Sequence, residues 1–139
     1  MSNLFGDEHV RRYIETDGEE GYVWREGASI LLLTVTGRKS GREYTTPLIF
    51  GEDGGSYVLV ASQGGTPEHP DWYLNLVVNP EVNVQVGGDR FTAQARTASA
   101  EEKPALWSLM TSIWPDYDQY QARTHREIPV VVVEPLAGE

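Results

Sequence analysis

The chain contains no cysteine. That excludes a disulfide framework, a thiolate metal site and a cysteine nucleophile. Histidine is scarce as well. His9, His69 and His125 stand far apart and in no ligand spacing, so a metal centre is not expected. No apolar run approaches the ~18–20 residues needed to cross a bilayer, and the N-terminus, MSNLFGDEHV, lacks the basic and apolar regions of a signal peptide. Basic residues are outnumbered, 11 Lys and Arg against 21 Asp and Glu, and the net charge of −10 repels nucleic acid and bulk anionic membrane. These shortages describe a cytoplasmic protein with no nucleic-acid partner. At 139 residues it is a single domain of ordinary size, able to bury a core without covalent staples.

Against that acidic average, Arg38, Lys39 and Arg42 crowd into one short stretch. Around it the chain reads as strands and turns. Residues 7–16 form a short amphipathic helix, with Val10, Tyr13 and Ile14 at helical spacing, Asp7 as its cap and Gly18 as its stop. Segment 19–29 is an acidic linker that Trp24 can anchor. Strands follow at 30–36, 44–50 and 56–62, separated by the glycine turns 37–41 and 51–55, and Pro47 marks an edge or a bulge. Asp71 is placed to cap a helix over 72–78, which Asn79-Pro80 stops. Val82, Val84 and Val86 alternate with polar residues, as does 90–96, and both read as strands. Helices over 101–112 and 116–122 and a last strand over 129–134 complete the chain. Six strands with tight, mostly antiparallel connections favour a closed barrel over a parallel sheet. The expected fold is mainly β with α, a six-stranded antiparallel barrel with peripheral helices. It divides into an N-terminal helix and linker (1–29) and a barrel domain (30–135).

Three stretches carry candidate chemistry. In Gly37-Arg-Lys-Ser-Gly-Arg42, glycines let backbone amides converge, Ser40 adds a donor, and Arg38, Lys39 and Arg42 supply charge. This is either an anion grip or a solvated basic hairpin. It lacks the spacing of a Walker loop or a Gly-x-Gly-x-x-Gly turn. Ala61-Ser-Gln-Gly-Gly65 leaves a strand toward a helix N-terminus. It is either a close backbone approach to a flat ligand or an ordinary connection. Trp114-Pro-Asp-Tyr117-Asp-Gln-Tyr120 is either core or a pocket wall, and Asp116, Asp118 and Gln119 make it too polar to be wholly core. Ser62 has no evident base partner, and no carboxylate pair stands out. These features fit a protein that binds a flat, phosphate-bearing cofactor which supplies the chemistry.

The same residues resemble the deazaflavin-dependent nitroreductase family, split-barrel oxidoreductases of actinobacteria that use coenzyme F420. Four blocks in order carry the resemblance, from about Leu31 to Pro135. They are Thr34-Val-Thr-Gly-Arg-Lys-Ser-Gly41; Ala61-Ser-Gln-Gly-Gly65; His69-Pro-Asp-Trp-Tyr-Leu-Asn75 with Asn79-Pro-Glu-Val82; and Trp114-Pro-Asp-Tyr117-Asp-Gln-Tyr120 with Arg126-Glu-Ile-Pro129. The resemblance implies that Arg38, Lys39, Ser40, Gly41 and Arg42 hold the cofactor's phosphate and acidic tail. Thr45, Thr46 and Pro47 would run beside it, and Ala61, Ser62, Gln63, Gly64 and Gly65 would approach its ring. Trp72, Asn75 and Leu76 would complete the binding wall. The implied catalytic residues are Ser62, Trp114, Tyr117 and Tyr120. The sequence departs from the family pattern at Tyr44, Gln63 and Trp114.

The implied activity is hydride transfer from reduced F420 to an electron-poor small molecule: a quinone, an activated alkene or a nitroaromatic. Two other readings share the fold. One is a non-catalytic carrier of F420 or another anionic amphiphile, and the other is an enzyme using flavin mononucleotide. Monomer and homodimer both remain open. So does peripheral membrane contact through the N-terminal helix, whose acidic surroundings favour docking on the barrel instead.

Overall fold

The computed structural model describes Leu4 and residues 6–136, so the first part of MSNLFGDEHV falls partly outside it. Helix α1 spans Gly6–Glu15, so Asp7 lies inside its first turn. The strands are β1 (Ile30–Thr36), β2 (Glu43–Ile49), β3 (Gly51–Asp53), β4 (Ser56–Val60), β5 (Glu81–Val86), β6 (Asp89–Thr97) and β7 (Val130–Pro135). Helix α2 (Asp71–Val78) links β4 to β5, while α3 (Lys103–Ile113) and α4 (Asp116–Arg123) link β6 to β7.

Every strand pairing is antiparallel, in the order β2-β1-β5-β6-β7-β4-β3. The two end strands, β2 and β3, follow each other in the chain with only Phe50 between them. The sheet is therefore rolled into an antiparallel barrel whose seam is bridged by the chain itself. Seven strands stand where six are expected. The difference is β3, because residues 51–53 pair with β4 and the turn shrinks to Gly54-Gly55. Helix α3 packs so closely there that a Cβ on Gly51 would lie 2.8 Å from Met110 Sδ. Gly51 thus serves packing. Pro47 sits in β2, which pairs on one side only, where a missing N–H costs no ladder bond.

The core lies on both faces of the sheet. Leu31, Leu33, Val35, Leu59, Val82, Val84, Val131 and Val133 fill the barrel. On the outside, α3 and α4 bring Leu106, Met110 and Tyr117 against Val58, Val60, Val130 and Val132. Tyr13 of α1 covers Ile30 and Leu32. This double coverage explains why β1 and β7 are continuous apolar runs rather than alternating ones. Val10 and Tyr13 face the barrel, while Ile14 is exposed.

Candidate functional site

The basic turn between β1 and β2 is tightly folded. Gly37 N–H donates to Arg42 O at 2.7 Å, and Gly41, at φ +74°, donates to Gly37 O at 3.0 Å. Ser40 Oγ accepts the Arg42 N–H at 3.2 Å and lies 3.1 Å from Tyr44 Oη. The three cations are not equivalent. Arg38 turns inward, and its backbone N–H and Nη1 both donate to Asn75 Oδ1, at 3.0 and 2.7 Å. Its Nη2 lies 3.6 Å from Asp71 Oδ1. Lys39 and Arg42 are exposed and enter no ion pair among the described residues. Asp71 is not the helix cap that its position suggested. Pro70 precedes α2, and Asp71 occupies its first turn, turned toward Arg38.

Gly37, Arg38, Lys39, Ser40, Tyr44 and Asn75 line a recess of about 400 Å³. It adjoins a larger cleft of about 710 Å³, and Thr46, Asp71 and Trp72 line both. The larger cleft has Pro47, Leu48 and Ile49 of β2 on one wall, Ser62, Gln63 and Gly64 on another, and Trp114, Tyr117 and Tyr120 over them. The N-terminal region closes a further side with Gly6, His9 and Trp24. Trp24 stacks on Trp114 with ring centroids 5.7 Å apart and donates from Nε1 to Leu4 O at 2.7 Å. Trp114 Nε1 in turn reaches Tyr120 Oη at 3.4 Å, and the Tyr117 and Tyr120 rings meet edge to face at 6.1 Å. Burial, followed by the neighbouring Tyr120, pushes the Tyr117 phenol above its ordinary range, so it stays protonated.

Ser62 is nearly buried, and its hydroxyl has no hydrogen-bond partner among the described residues. After it, Gln63–Gly65 makes a short 3-10 turn with Gln63 at φ +46°, Gly64 at +66° and Gly65 at +81°. The two glycines do different work. A Cβ on Gly64 would meet nothing within 4 Å, which leaves that side open to the cleft. A Cβ on Gly65 would lie 2.5 Å from Tyr120 O, so Gly65 lets α4 dock. Arg126 holds the whole turn. It donates from Nη1 to Ala61 O at 3.2 Å, from Nη2 to Ser62 O at 2.7 Å and from Nε to Thr66 O at 2.8 Å. Its Nη1 also meets His69 Nδ1 at 3.1 Å.

Most of the expected residues therefore converge, and a few do not. Thr45 lines neither recess; it stands opposite Thr34 in the β1–β2 pair, with the two Oγ1 atoms 2.7 Å apart. Ala61 and Leu76 are fully packed in the barrel core, and Gly65 faces α4. Gly41 and Arg42 belong to the basic turn without lining either recess. Sequence reasoning assigned no site role to His9, Trp24 or Arg126. Arg126 stood inside a quoted block, and Trp24 stood out as an aromatic in an acidic linker, but the contacts that recruit them are long-range.

An aromatic cleft continuous with a cationic recess, on the side of a rolled antiparallel barrel, defines a small split-barrel protein that holds a flat, anion-bearing ligand. The chain belongs to the F420H2-dependent quinone reductase family, whose model matches residues 6–135. It is 38% identical over 128 residues to the F420H2-dependent quinone reductase Rv1261c of Mycobacterium tuberculosis (strain ATCC 25618 / H37Rv), covering 90% of this chain and 86% of that protein. Among solved structures it resembles an F420H2-dependent reductase, FDR-A, at 44% identity and a TM-score of 0.70, over 76% of this chain and 93% of that one. It also resembles a domain-swapped dimer at 41% identity and a TM-score of 0.73, over 91% of this chain and 95% of that one. The protein is an F420H2-dependent oxidoreductase, and coenzyme F420 is its cofactor.

The residues present suit that cofactor. The unpaired Lys39 cation, the Arg38 guanidinium and the Ser40 hydroxyl, which line the recess, suit its phosphate and carboxylates. The open side of Gly64 and the faces of Trp72, Trp114, Tyr117 and Tyr120 suit a flat ring.

Proposed function

We propose that the basic recess takes the anionic tail of F420, that the aromatic cleft takes its ring together with a quinone, and that the protein reduces the quinone to a hydroquinone. One observation carries this reading: Thr46, Asp71 and Trp72 line both recesses, so one elongated molecule can occupy the two at once. When bound, reduced F420 supplies a hydride from its central ring.

The protein supplies binding and orientation. Lys39, Ser40 and the outward side of Arg38 bind charge, while Asn75 and Asp71 hold Arg38 in place. The Arg126-braced turn presents Ser62 and Gly64 to the ring. Trp114, Tyr117 and Tyr120 exclude water and stack a planar acceptor. Tyr117, kept protonated by burial, can donate a hydrogen bond to a quinone carbonyl. Spectral titration of oxidised F420 into the wild type tests the cofactor site, with Arg38→Ala/Lys39→Ala as its control. Turnover of reduced F420 with menadione separates a reductase from a carrier. For assembly we infer a homodimer, on the strength of the domain-swapped relative, which light scattering in solution tests.

A further inference from the structure

His9 is a histidine with two different sides. It is 1% exposed, yet it lines the aromatic cleft. Its Nε2 lies 2.8 Å from Gly21 O, and a carbonyl can only accept, so Nε2 carries a proton. Gly21 also makes room for the ring, since a Cβ there would lie 2.9 Å from His9 Cδ2 and 3.0 Å from Nε2. The remaining nitrogen, Nδ1, has no protein partner among the described residues. Yet those residues contain no buried side-chain nitrogen or oxygen left without a partner. The small exposed part of His9 must therefore include Nδ1, and the surface that His9 lines is the cleft. The Gly21 bond thus fixes the tautomer and leaves Nδ1 facing the ligand space.

The other ionisable side chains on the cleft are poor proton donors. Tyr117 is held protonated by burial, Tyr120 is a phenol, and Asp71 is an exposed carboxylate beside Arg38. Imidazole is the side chain that exchanges a proton near neutrality.

We infer that His9, through Nδ1, donates the proton that completes reduction of a quinone held in the aromatic cleft. This rests on the quinone reading above. The balance is simple: quinone plus hydride plus proton gives hydroquinone. The hydride brings both electrons and one hydrogen. His9 enters this step as the imidazolium, with Nε2–H on Gly21 O and a second proton on Nδ1 taken from water. The oxygen left anionic bonds to that Nδ1 proton as the N–H bond breaks, which leaves the neutral Nε2–H imidazole. Neutral Nδ1 then accepts a hydrogen bond from the product hydroxyl. The ionisable groups around His9 are Tyr13 on its own helix, the paired Arg12 and Glu20 beside Gly21, and Asp71, Tyr117 and Tyr120 on the other cleft walls.

His9→Gln separates this role from a structural one. Glutamine can place an amide N–H where Nε2 stands and nothing where Nδ1 stands, so it keeps the Gly21 bond. The expected result is a kcat for menadione lowered about 100-fold, the range of a general acid, with F420 binding weakened far less than that and a kcat–pH profile that differs from the wild type. A wild-type kcat and profile in His9→Gln overturn the proposal. A second readout uses the wild type without cofactor or turnover. In ¹⁵N spectra of the imidazoles, His9 is expected in the Nε2–H tautomer, with Nδ1 shifting on addition of menadiol. The opposite tautomer, or an Nδ1 signal unmoved at saturating menadiol, overturns it. A wild type that binds no F420 and reduces no menadione overturns instead the functional reading on which the proposal rests.

Discussion

Arg126 donates from Nη2 to the carbonyl of Ser62 at 2.7 Å, across the gap between the segment after α4 and the turn after β4. The same guanidinium serves Ala61 and Thr66, so one planar fork sets the path of the turn that faces the cleft. Arg126→Ala removes donors from carbonyls next to fully buried Ala61. It should cost about 2–3 kcal/mol in urea unfolding and weaken F420 binding in spectral titration. Arg126→Lys keeps the charge but cannot fork, so it should recover stability only in part and affinity less. Equal affinity in wild type and Arg126→Lys would show that the turn holds its shape without the fork.

His69 adds a pH dependence to that fork. Its Nδ1 meets Arg126 Nη1, so the ring must be neutral there, and desolvation followed by the Arg126 charge lowers its pKa below the usual histidine value. A depressed histidine pKa means that the unfolded chain binds the proton first. Stability from this contact is present above the unfolded value of about 6.5 and falls as pH drops toward the lower folded value. Melting temperature should therefore fall on acidification below about pH 6.5, and His69→Gln should flatten that slope. An unchanged slope in the variant would assign it to other groups.

The paired glycines of the turn should respond in opposite degrees. Gly64→Ala suffers only the positive φ of 66°, because nothing lies near its Cβ, so it should cost about 1–2 kcal/mol. Gly65→Ala suffers a φ of 81° and also drives a methyl to 2.5 Å from Tyr120 O. Its loss of stability should be clearly larger, and the displaced α4 should alter Tyr120 fluorescence. Thermal unfolding of the two variants side by side checks the ranking.

Local pattern made most of the barrel legible. Ile30–Thr36 has the bounds its β-branched run suggests, and α4 follows the spacing of Tyr117 and Tyr120. The misread positions are those where a distant element decides. Gly51 reads as a turn glycine until Met110 of α3 is set against it. Gly65 reads as a ligand contact until α4 is seen docking on it. Asp71 reads as a cap until Arg38 is seen to attract it. Thr45 reads as a neighbour of the cofactor until Thr34 is set opposite it. The N-terminal wall of the cleft escaped because Trp24 meets Trp114, and His9 meets Gly21, only once the chain has closed on itself.

Tyr13 joins that N-terminal helix to the barrel. Fully buried, it donates to Ile30 O at 2.9 Å and accepts the Gly87 N–H at 2.7 Å. Burial pushes its phenol pKa up to about 12 despite the Gly87 bond. Tyr13→Phe keeps the packing and strands both backbone groups, so it should cost about 1–3 kcal/mol. Since α1 carries His9, urea unfolding and menadione turnover should decline together. A stable but inactive variant would instead mark a local shift of the helix.

The basic turn allows charge and scaffold to be separated. Arg38 is bound to Asn75 and close to Asp71, so Arg38→Ala removes a ligand cation and a brace of α2 at once. Lys39 is exposed and unpaired, so Lys39→Ala removes charge alone. Lys39→Ala should leave urea stability within about 0.5 kcal/mol. It should weaken F420 binding about tenfold, the size of one charge-assisted hydrogen bond. Screening gives the sharper signature. Affinity of the wild type should fall as salt rises through the range where the Debye length shrinks below about 10 Å, and Lys39→Ala should reduce that slope. Salt-independent binding in both proteins would mean that the recess does not hold the anionic tail.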